Sequence, residues 1–519
     1  MDRIGFDHFA RVAPEELAII DGRGRAWSRG ELAALVNRLS RALRRAGLRP
    51  GDVIAVIAPN SAEFLAAYLA TTQIGLYFVP INYHLLDKEI EHIVACSSAR
   101  ALLIHARHCR ALTPSLRSRG CLPTVRISIG PAEEFDSLES ITARESDDPL
   151  EDAIAGRSLI FTSATTGYPK AVHRPLADAE AARHRLLELI RSMSAAAGIE
   201  PGHDGAHLCQ SQLYHTAPLD CTTSALHLGH TVVLMERWDP EKALHLIERH
   251  LVRATVMVPA MFTRLLRLPE DVRRRYSVKS LKLVSHGGAP CPVEVKRQMI
   301  EWWGPVLQEV YGAAEGGGTA ISSVDWLRKP GSVGRAYPGA AIRILNEDGE
   351  ELPSGTAGAI YIRSFTGDRF EYLGEPDKTA NAHRGEFFSV GDVGYLDEEG
   401  FLYICDRKID IIITGGVNVY SAEVERVLLL HPAVADCAVF GIPDALLGEC
   451  ILAVVEPSPQ VVPDRHLTTE LLAFLARCLT QSKIPRRIEY VRALGRDPAG
   501  KLLKRRLREP YWRGLERPI

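Results

Sequence analysis

The stretch "GDVIAVIAPNSAEFLAAYLATTQIGLYFVPIN", residues 51–82, opens with an apolar run, passes through Pro59-Asn60-Ser61, and closes on a second apolar run after a segment of helical periodicity. Pro-Asn-Ser makes a turn followed by a capping side chain, so the pattern predicts a buried strand, an amphipathic helix and another strand, a βαβ unit. The order recurs in "GHTVVLMERWDPEKALHLIERHLVRATVMVPAMFTRLL", residues 229–266, where Asp239-Pro240-Glu241 opens the helix. Strands so uniformly apolar are covered on both faces, which points to an α/β protein with mainly parallel sheets layered by helices.

Outward from these units the texture changes. From about Gly331, short alternating segments separated by Asn346-Glu347-Asp348-Gly349 and Pro353-Ser354-Gly355 predict a β-rich section. After Arg407 a smaller α/β portion follows, so we expect two domains, residues 1–406 and 407–519. A chain of 519 residues exceeds what one hydrophobic core organises. The formal charge of −2 supplies no field for DNA, RNA or an anionic membrane, so any anion site is local. Ten cysteines without a C-x-x-C pair or a zinc spacing, and an N-terminus without the pattern of a signal peptide, predict reduced thiols and a cytoplasmic protein. No run reaches the apolar length of a membrane-spanning helix.

Four segments carry chemistry. "FTSATTGYPKAV" (161–172) follows an apolar segment and precedes a helical region near Ala177, which predicts a strand-to-helix loop. The hydroxyls of Thr162, Ser163, Thr165 and Thr166, the backbone around Gly167 and the Lys170 ammonium suit a polyphosphate. The spacing is wrong for a Walker loop, which needs Lys directly after Gly and Ser or Thr after the Lys. The others are "EVYGAAEGGG" (309–318), "SVGDVGYLDEEGFLYICDRKIDIIITGGVNVYSAEVE" (389–425) and "GRDPAGKLLKRRLRE" (495–509).

In order and spacing these four segments resemble the signatures of the adenylate-forming superfamily: acyl-CoA synthetases, luciferases and peptide-synthetase adenylation domains. The resemblance spans about Gly51 to Arg508. It implies attack of a carboxylate on the α-phosphate of ATP, release of pyrophosphate, and displacement of AMP from the acyl-adenylate by the thiol of CoA. It also implies a large N-terminal domain with a small β-barrel-like section and a smaller, mobile C-terminal α+β lid. By the same resemblance, Thr162, Ser163, Ala164, Thr165, Thr166, Gly167 and Lys170 hold the β- and γ-phosphates. Glu315 orients Mg²⁺, Tyr311 stacks on adenine, and Gly288, Ala289 and Pro290 form the opposite wall. Gly312, Ala313 and Ala314 complete the nucleotide loop, while Asp392 and Arg407 bind the ribose. Lys501 is the mobile lysine that neutralises the α-phosphate, His215 stands at the mouth of the acyl pocket, Gly415, Gly416 and Val417 line the pantetheine tunnel, and Ile409 is the hinge.

The chain also departs from the pattern. Where the superfamily reads TSGTTGxPKG, Ala164 and Ala171 replace two glycines, putting methyl groups where backbone is expected to meet phosphate. Ala314 replaces a threonine whose hydroxyl donates to the α-phosphate, and Ile409 replaces Asp or Lys. These changes fall on adenylation and spare the CoA-facing segment. We therefore expect a ligase forming the CoA thioester of a bulky hydrophobic acid with adenylation weakened or lost, taking ATP or acyl-AMP, CoA and Mg²⁺, and receiving adenylate from a separate ligase. The rivals are a complete two-step ligase, a freestanding adenylation enzyme for a carrier protein, and a non-catalytic nucleotide or CoA binder.

Overall fold

The computed structural model describes residues 5–162, 168–178, 180–182, 199–202, 205–365, 367–496, 502 and 504–513. The chain divides into two compact units, one of Met1–Met257, Arg267–Ser285 and Asp368–Asn381, the other of Val258–Leu266, His286–Gly367 and Ala382–Ile519.

The first unit begins its main sheet with the expected βαβ element: β1 (Val53–Ile57), α1 (Ala62–Gln73) and β2 (Tyr77–Pro80), the strands parallel with Val53 opposite Tyr77. Ser61 caps α1 by accepting from the Phe64 N–H. The sheet runs Asp136–Ser137, Val125–Ile129, Ala101–His105, β1, β2 and β3 (Arg157–Ser158), all parallel. The amphipathic reading of α1 is corrected: Ala62, Phe64, Leu65, Ala66, Ala67, Leu69 and Ala70 bury nearly its whole circumference. The cause is a second layer, because Phe64, Leu65 and Phe78 share a core with Leu213, Leu219 and Val232. A helix packed from both sides loses its polar face.

The stretch 161–172 is also corrected. Its described ends belong to two antiparallel strands, β4 (Ile160–Thr162) and β5 (Lys170–His173), so a strand rather than a helix follows the candidate phosphate residues. Strand β5 pairs with β4 on one edge and with Glu371–Tyr372 on the other, and these backbone bonds hold it extended. The remaining sheet of this unit joins β6 (Ala206–Cys209), β7 (Thr231–Leu234) and β8 (Val252–Met257) in parallel with Leu17–Ile20. Between β6 and β7 runs α2 (Thr216–His227). Asp239 caps the helix Pro240–Arg249 as its sequence predicts, and β6 lies between β7 and β8.

In the second unit, the end of β9 (Leu283–Gly287) leads through α3 (Val293–Trp303) to the antiparallel pair β10 (Leu307–Gly312) and β11 (Gly318–Ser322). The β-rich section is a six-stranded antiparallel sheet that includes Ala341–Leu345, Gly358–Arg363, β12 (Asp392–Leu396) and β13 (Leu402–Arg407). Beyond it lie β14 (Ile412–Thr414), β15 (Val417–Val419), α4 (Ser421–Leu428), β16 (Val434–Asp444), β17 (Gly448–Pro457) and α5 (Lys504–Trp512). Their core gathers Ile412, Val424, Leu428, Val439, Ile451 and Leu471. All ten cysteines are free thiols. Among the described residues no helix is long and apolar enough to cross a membrane.

One buried ion pair ties the elements that carry the nucleotide motifs. Lys296 on α3 is fully buried and donates to Glu309 on β10 at 2.6 Å, with the Trp326 ring 4.6 Å from its ammonium. Burial pushes Lys296 down and Glu309 up, and each partner opposes the other's shift. Removing one member strands the other charge. We predict that Lys296→Met lowers stability by about 3–5 kcal/mol in urea denaturation, and that Lys296→Met with Glu309→Leu recovers most of it. Equal losses in the single and double variants would contradict this.

Candidate active site

Three residues far apart in sequence meet in the second unit. Tyr311 stands near the end of β10, Asp392 opens β12 and Arg407 closes β13, where it pairs directly opposite Asp392. The Tyr311 hydroxyl donates to Asp392 Oδ2 at 2.7 Å, and Arg407 Nε lies 3.3 Å from Asp392 Oδ1. Asp392 is buried, whereas the Arg407 side chain is 41% exposed. Burial and the neighbouring Asp392 carboxylate push the Tyr311 hydroxyl well above the usual phenol range, so it stays a donor. Glu315, itself buried, adds its negative field to this hydroxyl. A side chain at Gly287 would meet the Val310 carbonyl at 2.3 Å, so β9 and β10 approach closely. Gly288, Ala289 and Pro290 follow directly on β9, with Gly288 at a φ of 76°. After Gly312 ends β10, the Ala313-Ala314-Glu315-Gly316 turn is closed by a bond from Gly316 N–H to Ala313 O at 2.9 Å.

The first unit carries the phosphate-loop candidates. Thr162 and Lys170 sit opposite each other in the β4–β5 pair. Lys170 Nζ is 4.9 Å from the Tyr372 ring centroid. His92 Nε2 donates to Pro169 O at 3.1 Å, and its ring stacks on Tyr168. Ser163, Ala164, Thr165, Thr166, Gly167 and Lys501 lie outside the described residues. Ala171 corrects its expected place at the phosphates: it is fully buried, in the core with Ala55, Ile57 and Val79. Val172, on the opposite face of the strand, is buried as well, so the middle of β5 is covered on both sides. His215 is the N-cap residue of α2 and sits edge-on to Tyr214.

The C-terminal candidates also find their places. Thr414 pairs with Val417 across Gly415 and Gly416, whose φ values of 56° and 79° make a two-residue hairpin that demands left-handed backbone at both positions. Hairpin geometry accounts for the adjacent glycines without any ligand. Ile409 lies in a 3₁₀ turn, and its carbonyl accepts from Arg508 Nη1 on α5 at 3.0 Å.

Sequence reasoning missed two anchors. Asn60 accepts from the Leu213 N–H at 2.8 Å and donates to the Ser211 and Met235 carbonyls, fixing the loop before His215. Its place between a proline and a helix cap was the available signal, read there as a turn alone. Lys504, one of several basic residues in the segment 495–509, donates to Ser421 Oγ at 2.7 Å and pairs with Glu425 at 2.8 Å. Burial would lower the Lys504 pKa, but Glu425, Asp406 and Asp410 overcome it and hold the ammonium above its ordinary value.

Comparison with known proteins agrees with this geometry. Residues 6–366 match the AMP-binding enzyme family, and residues 423–501 match the AMP-binding enzyme C-terminal domain. The chain is similar to a feruloyl-CoA synthase of Amycolatopsis sp, 32% identical with 97% of each chain covered. It is also similar to the fatty acid–[acyl-carrier-protein] ligase ScoC of Streptomyces coeruleorubidus, 29% identical over 96% of this chain and 94% of the relative. Among solved structures it resembles o-succinylbenzoate CoA synthetase (MenE) from Bacillus subtilis in complex with its acyl-adenylate intermediate, with a TM-score of 0.81, 27% identity and 97% of both chains covered. A buried carboxylate gripping an aromatic hydroxyl, and a family match across most of the chain, converge on one conclusion: this chain belongs to the AMP-binding enzyme family, the adenylate-forming superfamily, and is an enzyme of its acyl-CoA ligase type.

Proposed function

We infer that this enzyme converts a bulky hydrophobic carboxylic acid to its CoA thioester through an acyl-adenylate, and that adenylation is the slower half. The observation that carries the reading is the Tyr311–Asp392–Arg407 array. An aromatic ring fixed at its hydroxyl offers a face for a purine, while a carboxylate and a guanidinium beside it suit the hydroxyls and charge of a nucleotide. In the reading, Gly288, Ala289 and Pro290 form the facing wall, the β4–β5 segment holds the outer phosphates, and Lys501 neutralises the α-phosphate. The relative solved with an acyl-adenylate supports the intermediate.

Among the described residues no three His, Cys, Asp or Glu side chains cluster as a metal cage. Mg²⁺ needs none: it binds through one or two carboxylates together with substrate phosphates, and a single buried Glu315 suits that mode. When bound, it would shield charge on the polyphosphate. The segment after Arg407 acts as the lid, turning at Ile409, with Gly415, Gly416 and Val417 toward CoA. The ten free thiols fit a reducing cytoplasm.

Slow adenylation rests on Ala314, which lacks a hydroxyl to donate, and on Ala164; acyl-AMP from a separate ligase would then feed the second step. One observation favours a second reading, a complete two-step ligase: Ala171 is buried in the core, so one of the three alanines has no bearing on phosphate. Two assays separate the readings, pyrophosphate release from acid and ATP, and thioester formation from synthetic acyl-AMP and CoA. We predict that Ala314→Thr raises pyrophosphate release by about 10-fold or more, the worth of one hydrogen bond to a charged group, while thioester formation changes far less. Equal gains in both, or wild-type pyrophosphate release as fast as thioester formation, would establish the complete ligase. The CoA assignment has its own test. Gly416→Val places a β-branched residue at a left-handed position, costing about 1–2 kcal/mol locally, and should raise KM for CoA with pyrophosphate release unaltered. An unchanged KM for CoA would remove that hairpin from the thiol site.

A further inference from the structure

Beside the candidate phosphate segment stands a histidine that the chemistry above does not use. His92 lies on the helix Asp87–Cys96, whose Ile90, Ile93 and Val94 are buried in the same core as Ala171. Its Nε2 is 3.1 Å from the Pro169 carbonyl oxygen, and its ring stacks on Tyr168 with centroids 4.6 Å apart and planes inclined by 23°. A carbonyl oxygen only accepts, so Nε2 carries a proton, in the neutral ring and in the charged one alike. One turn further along the same helix, Cys96 Sγ lies 4.0 Å from the Leu373 carbonyl oxygen, and the Leu373 N–H donates to Ala171 O at 3.1 Å. A single helix rooted in the core therefore touches both the entry to β5 and the segment paired along it.

What the His92 contacts fix is direction. Pro169 has no N–H, so its carbonyl is the one backbone group by which a hydrogen bond can hold it. That carbonyl shares a planar peptide unit with the Lys170 nitrogen, and holding its oxygen sets the plane from which Lys170 starts. Lys170 then pairs with Thr162 across β4, and its ammonium stands 4.9 Å from the Tyr372 ring centroid. Burial is not what the stack supplies, because Tyr168 remains 49% exposed and removes little apolar area from water. A side chain on a rigid element that orients a peptide at so little gain in burial serves the residue which that peptide carries.

We propose that His92 is a positioning residue for the outer phosphates of the nucleotide: through the Pro169 carbonyl and the Tyr168 ring it sets the peptide that presents Lys170 to the β- and γ-phosphates. It then acts on ATP and not on AMP or acyl-AMP. This deepens the function inferred above and rests on its reading of Thr162 to Lys170 as the segment that holds those phosphates.

The test compares α,β-methylene-ATP with AMP, each titrated calorimetrically into the full chain with Mg²⁺ present. The two ligands share the nucleoside and differ in the outer phosphates, so the wild type should bind the triphosphate more tightly. His92→Ala should weaken the triphosphate about 10-fold, as expected for the loss of one hydrogen bond and one ring stack, and leave AMP within about 2-fold of the wild type. His92→Gln keeps an N–H donor without a ring, and His92→Phe keeps a ring without a donor; each should recover part of the loss. If His92→Ala does not fold, these two variants carry the same comparison. Equal weakening of both ligands would overturn the proposal, because a residue that only supports the fold has no means of telling them apart. Unchanged affinity for both, or recovery by neither of the partial variants, would overturn it too. A wild type that binds AMP but holds the triphosphate no more tightly would remove His92 and the phosphate segment together while the nucleoside site stands. Binding of neither ligand would overturn the proposed function itself.

Discussion

A single hydrogen bond organises the candidate site: the Tyr311 hydroxyl donating to buried Asp392. It joins the end of β10 to the start of β12, and the antiparallel register of β12 and β13 then delivers Arg407 to the same carboxylate. Without that register Arg407 would face the other side of its sheet, since a one-residue slip reverses every side chain. The bond also fixes the plane of the aromatic ring, which a stacked purine requires. Both partners are buried or nearly so, where such bonds are strong and an unmade one is costly.

Charged side chains elsewhere in the second unit serve the same end by placement. Lys296 and Glu309 hold α3 against β10, which brackets the glycine turn at 288–290. Lys504, Ser421, Glu425 and Asp406 form a connected polar network between α5, α4 and β13, next to the residue proposed as hinge. Arg508 adds a bond to the carbonyl of Ile409. A side chain at position 409 therefore matters less to the observed turn than its backbone does, which gives a physical reason why isoleucine is accommodated there.

Much of the fold was legible because strand and helix periods and their punctuation are local. The βαβ unit at 51–82, the cap at Asp239 and the β-rich section after Gly331 all stand where the sequence puts them. What sequence reasoning misread depends on neighbours distant in the chain. Helix α1 looked amphipathic but is enclosed by a second layer, and β5 looked like part of a loop but is paired on both edges. At the site, Tyr311, Asp392 and Arg407 were named from motif resemblance, and the structure brings them within bonding distance. Ala171 was misplaced because motif spacing does not reveal that a strand is covered on both sides. Lys504 was missed because a basic run gives no sign that one of its members finds a buried acid.

The central claim is that the carboxylate of Asp392, held between Tyr311 and Arg407, is where the nucleoside binds. Calorimetric titration of AMP into the wild-type chain and into Asp392→Ala tests it most directly. The account predicts that the substitution weakens AMP binding by about 100-fold, the loss of roughly 2.7 kcal/mol, with the chain still folded by circular dichroism. Unchanged affinity for AMP in a folded Asp392→Ala protein would contradict it.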